Sequence, residues 1–187
     1  MASARILGID PGLHTTGYAV LEVGPNRPVL VEAGIIKTAE RRATPEMADR
    51  LTILYDGLIE VINLHEPTAL SIEQLYAHYD HPRTAILMGH ARGVILLAAG
   101  KRGMSVASYA ATSIKKTVTG SGRASKEQMQ ATMLREFGLS ALPEPHDVAD
   151  AMAIALCHYH HHGLPPQVTS ARARAGVGVN LAALNGD

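Results

Sequence analysis

Four acidic residues of this 187-residue chain stand where a solvated surface acid is not expected. Asp10 closes the apolar run Ile6-Leu-Gly-Ile-Asp10, just ahead of Pro11-Gly12, and Glu73 closes a second run, Ala69-Leu-Ser-Ile-Glu73. If both runs are strands, both carboxyls sit at strand ends, where an α/β sheet presents its ligands. Asp147 and Asp150 are three residues apart, which puts them on one face of a helix. A strand-end pair facing a helix-borne pair makes a negatively charged pocket in which each carboxylate raises the pKa of the others. Divalent cations relieve that repulsion. Mg2+ suits such a site because it takes oxygen ligands and commonly combines carboxylates with substrate phosphate. Two Mg2+ ions about 4 Å apart, with Mn2+ as a substitute, would clamp an in-line phosphoryl displacement.

Each acid also has a plainer reading. Asp10 before Pro-Gly could be a turn residue, and Asp147 at a helix start could be a cap or a dipole partner. Glu73 after Ala-Leu-Ser-Ile has little local structural purpose, and the set of four is more specific than any member. Positive charge lies nearby in sequence: Lys115, Lys116, Arg123 and Lys126 enclose no acid and flank Gly120-Ser-Gly122. A solvated helix face would explain them, but backbone amides in such a loop reach phosphate together with the basic side chains, so phosphate contact is the expectation. His158, His160, His161 and His162 are expected to solvate a helix end and favour its dipole when charged, rather than to hold a structural metal. His146, beside the acids, is expected in solvent, with a hydrogen bond to a ligating carboxylate as the alternative. Cys157 reads as a small core residue.

These residues need elements to position them. Ala4–Asp10, His14–Val23 and Val29–Lys37 read as three strands in a meander, with a turn at Gly24-Pro25-Asn26. Thr44 as N-cap and Pro45 at the first helical position predict a helix to about Leu64, with Met47, Leu51, Leu54, Leu58 and Ile62 on one face. Thr68–Glu73 is a short buried strand. Thr84–Lys101 is a helix apolar nearly all round, hence central or covered by a partner, and Gly89 and Gly93 would let another helix approach. Ser105–Ser108 is a strand and Ala110–Thr119 a helix. Ser125-Lys-Glu-Gln128 is a capping box opening a helix to about Phe137. Pro143-Glu-Pro145 then breaks the chain before a last helix from His146 to about His161. The pattern predicts an α/β fold, a mixed five-stranded sheet with helices on both faces. Residues 1–163 form its single domain, and residues 164–187, rich in Pro, Ser, Ala, Arg and Gly, are expected to be a mobile tail.

Composition sets further bounds. Hydrophobic residues make up 47%, enough for a substantial core, and no run of about 18 apolar residues suggests a membrane span. The opening residues lack the pattern of a secretory signal, and Cys157 is the only cysteine, so a cytoplasmic location is expected. A net charge of zero argues mildly against a nucleic-acid binder. Cations held among the acids would leave the DNA-facing surface more positive than the formal count.

Taken in order, Gly8-Ile-Asp-Pro-Gly-Leu13, Thr16-Gly-Tyr18, Ile72-Glu-Gln-Leu-Tyr76, Gly89-His-Ala-Arg-Gly-Val94, Ile114-Lys-Lys-Thr-Val-Thr-Gly120, Ala124-Ser-Lys-Glu-Gln128 and Asp147-Val-Ala-Asp-Ala-Met-Ala-Ile-Ala155 are similar to the RuvC family of crossover-junction endodeoxyribonucleases. The resemblance spans roughly residues 4 to 160. It implies a ribonuclease-H-like fold, magnesium dependence and a homodimer that makes paired nicks in opposed strands of a four-way (Holliday) junction during recombination and repair. It also implies work beside the branch-migration proteins RuvA and RuvB. The family's catalytic acids fall on Asp10, Glu73, Asp147 and Asp150, and Lys115 and Lys126 match lysines placed near DNA. Tyr76 matches an aromatic that stacks on bases near the junction centre, which is physically sound because every base has a π-face. Apart from the resemblance, Tyr79 reads equally as a second base-contacting aromatic or as an exposed loop tyrosine.

Two other functions share some of these features. An actin-like or sugar-kinase-type phosphotransferase also ends its first strand in Asp-x-Gly, but it needs a second phosphate-binding lobe for which 187 residues leave little room. A non-catalytic junction-binding protein would not need acids at all four positions.

Overall fold

The structure, a computed structural model, describes residues 4–12, 14–39, 45–75 and 82–162. Its elements in chain order are β1 (Arg5–Asp10), β2 (Thr15–Val23), β3 (Pro28–Lys37), α1 (Met47–His65), β4 (Ala69–Glu73), α2 (Pro82–Lys101), β5 (Ser105–Tyr109), α3 (Ala111–Thr119), α4 (Lys126–Phe137) and α5 (His146–His162). The strands form one sheet in the order β3-β2-β1-β4-β5. β1, β2 and β3 pair antiparallel, as the short turns between them require, whereas β4 and β5 join in parallel through helical crossovers. This is the expected mixed five-stranded sheet.

Helices cover both faces. Alternate residues of β1 and β4 point to opposite sides: Leu7, Ile9, Leu70 and Ile72 pack with Leu54, Leu58 and Ile62 of α1 and with Ile95, Ala98 and Ala99 of α2. Ile6, Ala19 and Leu21 pack on the other side with α3, α4 and α5, through Ile114, Met129, Met133, Met152 and Ile154. Helix α5 is the central one. From Val148 to His158 every residue except Asp150 is buried. Its Ala-rich sequence permits this, because small side chains let the backbone lie directly on the sheet. Helix α2 keeps an open stripe, with Ile86 and Leu97 exposed.

A polar cluster ties the end of α1 to the sheet. Tyr18 Oη donates to Glu32 Oε1 at 2.5 Å, and His65 Nε2 lies 2.8 Å from Glu32 Oε2. Arg5 Nη1 donates to the His65 carbonyl at 3.0 Å while its Nε and Nη2 reach Glu22.

Element boundaries agree with the sequence to within one or two residues, apart from the start of α1. That helix begins at Met47 behind Glu46, which makes no side-chain cap bond, so Pro45 precedes the first turn instead of occupying it. Thr44 lies outside the described residues, as do residues 164–187 and the tail expected there. Among the described residues no helix is long and apolar enough to cross a membrane.

Candidate active site

Asp10 and Glu73 end adjacent strands. Ile9 and Ile72 form the last parallel pair between β1 and β4, and each acid lies one residue beyond it. Since Ile9 and Ile72 face α1 and α2, strand alternation turns Asp10 and Glu73 to the α5 side. Both strand ends are held. Behind Asp10, the buried Thr16 hydroxyl donates to the Gly12 carbonyl at 3.1 Å. Beyond Glu73, the Gln74 amide donates to the Tyr109 carbonyl at 2.8 Å.

Helix α5 reaches this corner because β1 and β2 offer glycine where it crosses. A Cβ on Gly8 would lie 2.4 Å from the Ala151 carbonyl oxygen and 2.7 Å from Ala155 Cβ. One on Gly17, the residue paired with Asp10, would lie 2.1 Å from the Asp147 carbonyl oxygen. Backbone-to-backbone contact of this kind excludes any side chain. It sets the first turn of α5, with Asp147 and Asp150, beside the end of β1. The turn starts where expected: Pro145 accepts from the Val148 amide at 3.0 Å, and Gln130 Nε2 holds the Pro143 carbonyl at 2.8 Å.

Asp10, Glu73 and Asp150 are each raised, and the charges of Asp150, Glu73 and Asp147 contribute to these shifts. Burial pushes Asp10 up to about 8, and the charges of Asp150, Glu73 and Asp147 add to that while Lys126 opposes it. Glu73 is raised by burial and then by Asp150, with Lys115 opposing. Asp150 is raised chiefly by burial; Lys126 opposes most strongly, Asp147 adds to the rise, and His146 and Lys115 oppose it. The acids therefore form one interacting group, and two of the four basic residues picked out by sequence face it. Lys126 sits in the first turn of α4, placed by the Ser125–Gln128 capping box, in which Ser125 N donates to Gln128 Oε1 at 2.8 Å and Gln128 N to Ser125 Oγ at 3.3 Å. Lys116 and Arg123 are exposed, and neither is among the charges acting on the acids. Tyr76 and Tyr79 lie outside the described residues.

A pocket of about 160 Å³ opens at the strand ends, lined by Asp10, Pro11, Glu73, Gln74, Leu75, Met88 and Arg92. Asp147 and Asp150 do not line it. Among the described residues no three His, Cys, Asp or Glu side chains are arranged to hold a metal ion by themselves.

A model of the family "Crossover junction endodeoxyribonuclease RuvC" matches residues 6–158, the whole of this fold. The chain belongs to the RuvC family. RuvC of Rhodopirellula baltica is 54% identical over 159 residues, 84% of this chain and 88% of that one. RuvC of Pelotomaculum thermopropionicum is 42% identical over 157 residues, 84% of this chain and 93% of that one. Among solved structures, Thermus thermophilus RuvC in complex with a Holliday junction substrate superposes with a TM-score of 0.75 at 28% identity, covering 84% of this chain and 94% of that one. The yeast mitochondrial Holliday junction resolvase Ydc2 shares the fold alone, at a TM-score of 0.60 and 17% identity. The ribonuclease-H-like architecture expected from the resemblance is thus the one found.

Two features of this RuvC-family chain are not legible in its sequence. Arg92 turns from α2 to the strand carrying Glu73, and the one permanent charge within the apolar stretch from Thr84 to Gly100 was the available signal. The histidines at the end of α5 are not all solvated as expected. His158 is buried and shares a 2.8 Å hydrogen bond with Tyr109 Oη, and burial followed by His162 and His161 lowers its pKa to about 4. Cys157 is buried in the core, as expected.

Proposed function

We propose that this chain is a metal-dependent endonuclease that makes symmetric nicks in opposed strands of four-way DNA junctions, in recombination and repair, with Asp10, Glu73, Asp147 and Asp150 as its catalytic and metal-binding residues. The observation that carries the reading is the state of Asp10: a half-buried carboxyl at a strand end, pushed up to about 8 by desolvation and by three further acids acting on it. Such a group costs stability unless a cation arrives, and perturbed carboxyls in a cleft mark functional sites. The donor set is all oxygen, which suits Mg2+, with Mn2+ able to replace it. An ion of this kind takes one or two protein carboxylates and completes its shell with water and substrate phosphate.

Bound there, cations would supply Lewis-acid stabilisation and a more acidic water. The protein's own part is positioning. Asp10 and Glu73 hold fixed places because their strand ends are pinned, and Asp147 and Asp150 because α5 lies on Gly8 and Gly17. Lys115 and Lys126 place positive charge beside the acids, where an incoming phosphate needs it. Lys116, Arg123 and the Gly120–Gly122 loop lie between these two lysines in the same basic segment and serve the DNA backbone. Tyr76, by resemblance, stacks on bases near the junction centre.

The functional unit is a homodimer, since a two-fold dimer matches a two-fold substrate and gives each subunit one strand to cut. Helix α2 supplies the contact. Ile86, Gly89, Gly93, Leu97 and Gly100 follow helical spacing on one exposed stripe, and a Cβ at any of these three glycines would meet nothing within 4 Å. Partnership with RuvA and RuvB and a cytoplasmic location belong to the same proposal.

The test is cleavage of a labelled synthetic four-way junction and of linear duplex, each with and without Mg2+. Paired nicks in the junction alone, and only with Mg2+, are expected. Junction binding without nicking under every divalent cation would instead leave a binding protein, and equal cutting of duplex would refute the substrate.

A further inference from the structure

Helix α2 carries a single permanent charge between Thr84 and Gly100, and that charge is Arg92. Its guanidinium turns away from the Ile86–Leu97 stripe to the sheet. Nη1 donates to the Glu73 backbone carbonyl, and Nη2 donates to Ser108 Oγ at 2.8 Å. Neither acceptor is a carboxylate, and among the described residues no ion pair involves Arg92. Burial alone lowers its pKa. A partly desolvated guanidinium without a counter-charge is an expensive way to tie two strands together, because a neutral side chain could make the same two bonds at less cost. The position of the charge matters more. It stands against the one residue of β4 whose side chain belongs to the acid group, and it lines the same pocket as Asp10 and Glu73.

We infer that Arg92 is a positioning residue for Glu73: its two-pronged bond fixes the end of β4 against β5 and so sets the direction in which the Glu73 carboxylate meets a divalent cation. The inference rests on Glu73 being a cation ligand. A planar guanidinium suits the task because its two donors lie in a rigid fork and can hold two acceptors on adjacent strands at once. Glu73 is the last residue of its strand, paired with Tyr109. Past that point the chain is held by the Gln74 amide on the Tyr109 carbonyl, so Arg92 is the brace on the opposite side of the same peptide. Without it the Glu73–Gln74 peptide keeps only the Gln74 amide bond to Tyr109, and the direction of the Glu73 carboxylate is set less tightly.

The decisive comparison is wild type, Arg92→Ala, Arg92→Lys and Ser108→Ala, read by Mn2+ binding in calorimetry and by single-turnover nicking of a four-way junction over a cation titration. Loss of an outer partner of a metal ligand costs about 10- to 100-fold in metal affinity or activity. Arg92→Ala is therefore expected to raise the Mn2+ dissociation constant and the cation concentration for half-maximal nicking by about 10-fold or more. Arg92→Lys, with one compact donor head, should fall between it and wild type, and Ser108→Ala should show the same shift at smaller size. Junction affinity in EDTA and dimer mass should not change, since neither residue lies on the α2 stripe. Unchanged Mn2+ affinity in folded Arg92→Ala overturns the inference, as does slower nicking with an unmoved half-maximal concentration. Should Arg92→Ala fail to fold, Arg92→Lys and Ser108→Ala decide by the same two readouts. Wild-type protein that shows no cation-dependent nicking defeats the endonuclease reading itself, which separates the two failures.

Discussion

The two ends of α5 bury titratable side chains against one sheet and treat them in opposite ways. At the N-terminal end Asp147 and Asp150 stand beside Asp10 and Glu73, and the nearest relief is two lysines on other helices. At the C-terminal end His158 lies in the core, hydrogen-bonded to Tyr109 and packed near His162, with ring centroids 4.7 Å apart. A helix dipole favours acids at its start and protonated histidine at its end. The first preference is obeyed. The second is overridden, since burial holds His158 neutral with a pKa of about 4. One end stores a charge conflict that a ligand can relieve. The other removes the charge altogether, as a core does. Burial is common to both, so the presence or absence of a partner inside the protein is what separates a site from structure.

The two ends also answer pH with opposite signs. Asp10 rises from 3.8 to about 8 on folding, so over that window the folded chain binds the extra proton and the ion-free fold loses stability as pH rises. Below about pH 4 both states are protonated and the effect is gone. His158 falls from 6.5 to about 4, so here the unfolded chain binds the extra proton, and stability is lost as pH falls through that window.

Asp10→Asn breaks the comparison hardest. Nicking should fall by about 1000-fold or more while junction affinity stays within a few-fold, measured by single-turnover cleavage and gel shift on the same preparation. Nicking within about 10-fold of wild type would remove Asp10 from the site. The same variant sharpens the energetic half of the comparison. In EDTA at pH 8 it should be more stable than wild type by about 3 kcal/mol, because a neutral amide escapes the cost of burying a charge and, after that, the repulsion of Asp150, Glu73 and Asp147. At pH 4 the two proteins should converge. Urea unfolding at several pH values checks this, and Mg2+ should narrow the gap at pH 8 by stabilising only the protein that retains Asp10.

At the other end, Tyr109→Phe removes the hydroxyl that His158 uses while keeping the ring. Leaving that buried nitrogen without its partner should cost about 1–2 kcal/mol at pH 7. Nicking per folded molecule should stay within about two-fold, far below the loss expected from a catalytic group. A large loss of nicking with unchanged stability would show that the C-terminal end of α5 also serves the site.

Much of this contrast was legible in the sequence, and what was not has a physical cause. The acids were visible because Asp10 and Glu73 end apolar runs, a place where burial conflicts with charge, and because Asp147 and Asp150 keep helical spacing. The capping box at Ser125 and the break at Pro143–Pro145 are local signals and appeared where expected. His158 was misjudged because four histidines near the end of α5 look alike in sequence. Which of them is buried depends on the sheet that α5 crosses, a contact between residues far apart in the chain. The start of α1 was set two residues early for a similar reason: Thr44-Pro45 is a good local start, but Glu46 provides the first helical carbonyl by accepting from the Arg50 amide at 3.1 Å. Arg92 needed knowledge of which strand end α2 faces.

The smallest effect divides the basic segment in the same way. Lys126 acts on Asp10 and Asp150, and Lys115 acts on Glu73 and Asp150. Lys116 is the next residue along α3 from Lys115, about a quarter-turn round the helix, and it is exposed. On the proposed function, a lysine beside the acids would stabilise charge at the reacting phosphate, whereas one remote from them would only gather DNA. Lys126→Ala should therefore slow nicking by about 10-fold at saturating junction, the loss of one charge-assisted contact. Lys116→Ala should leave that rate within about two-fold and instead weaken binding, with a salt slope shallower by about one ion. Nicking and binding measured at two salt concentrations separate these outcomes. Equal slowing by both substitutions would mean that the whole segment folds onto the junction as a unit, and the distinction between site and surface would then have to be drawn at the DNA.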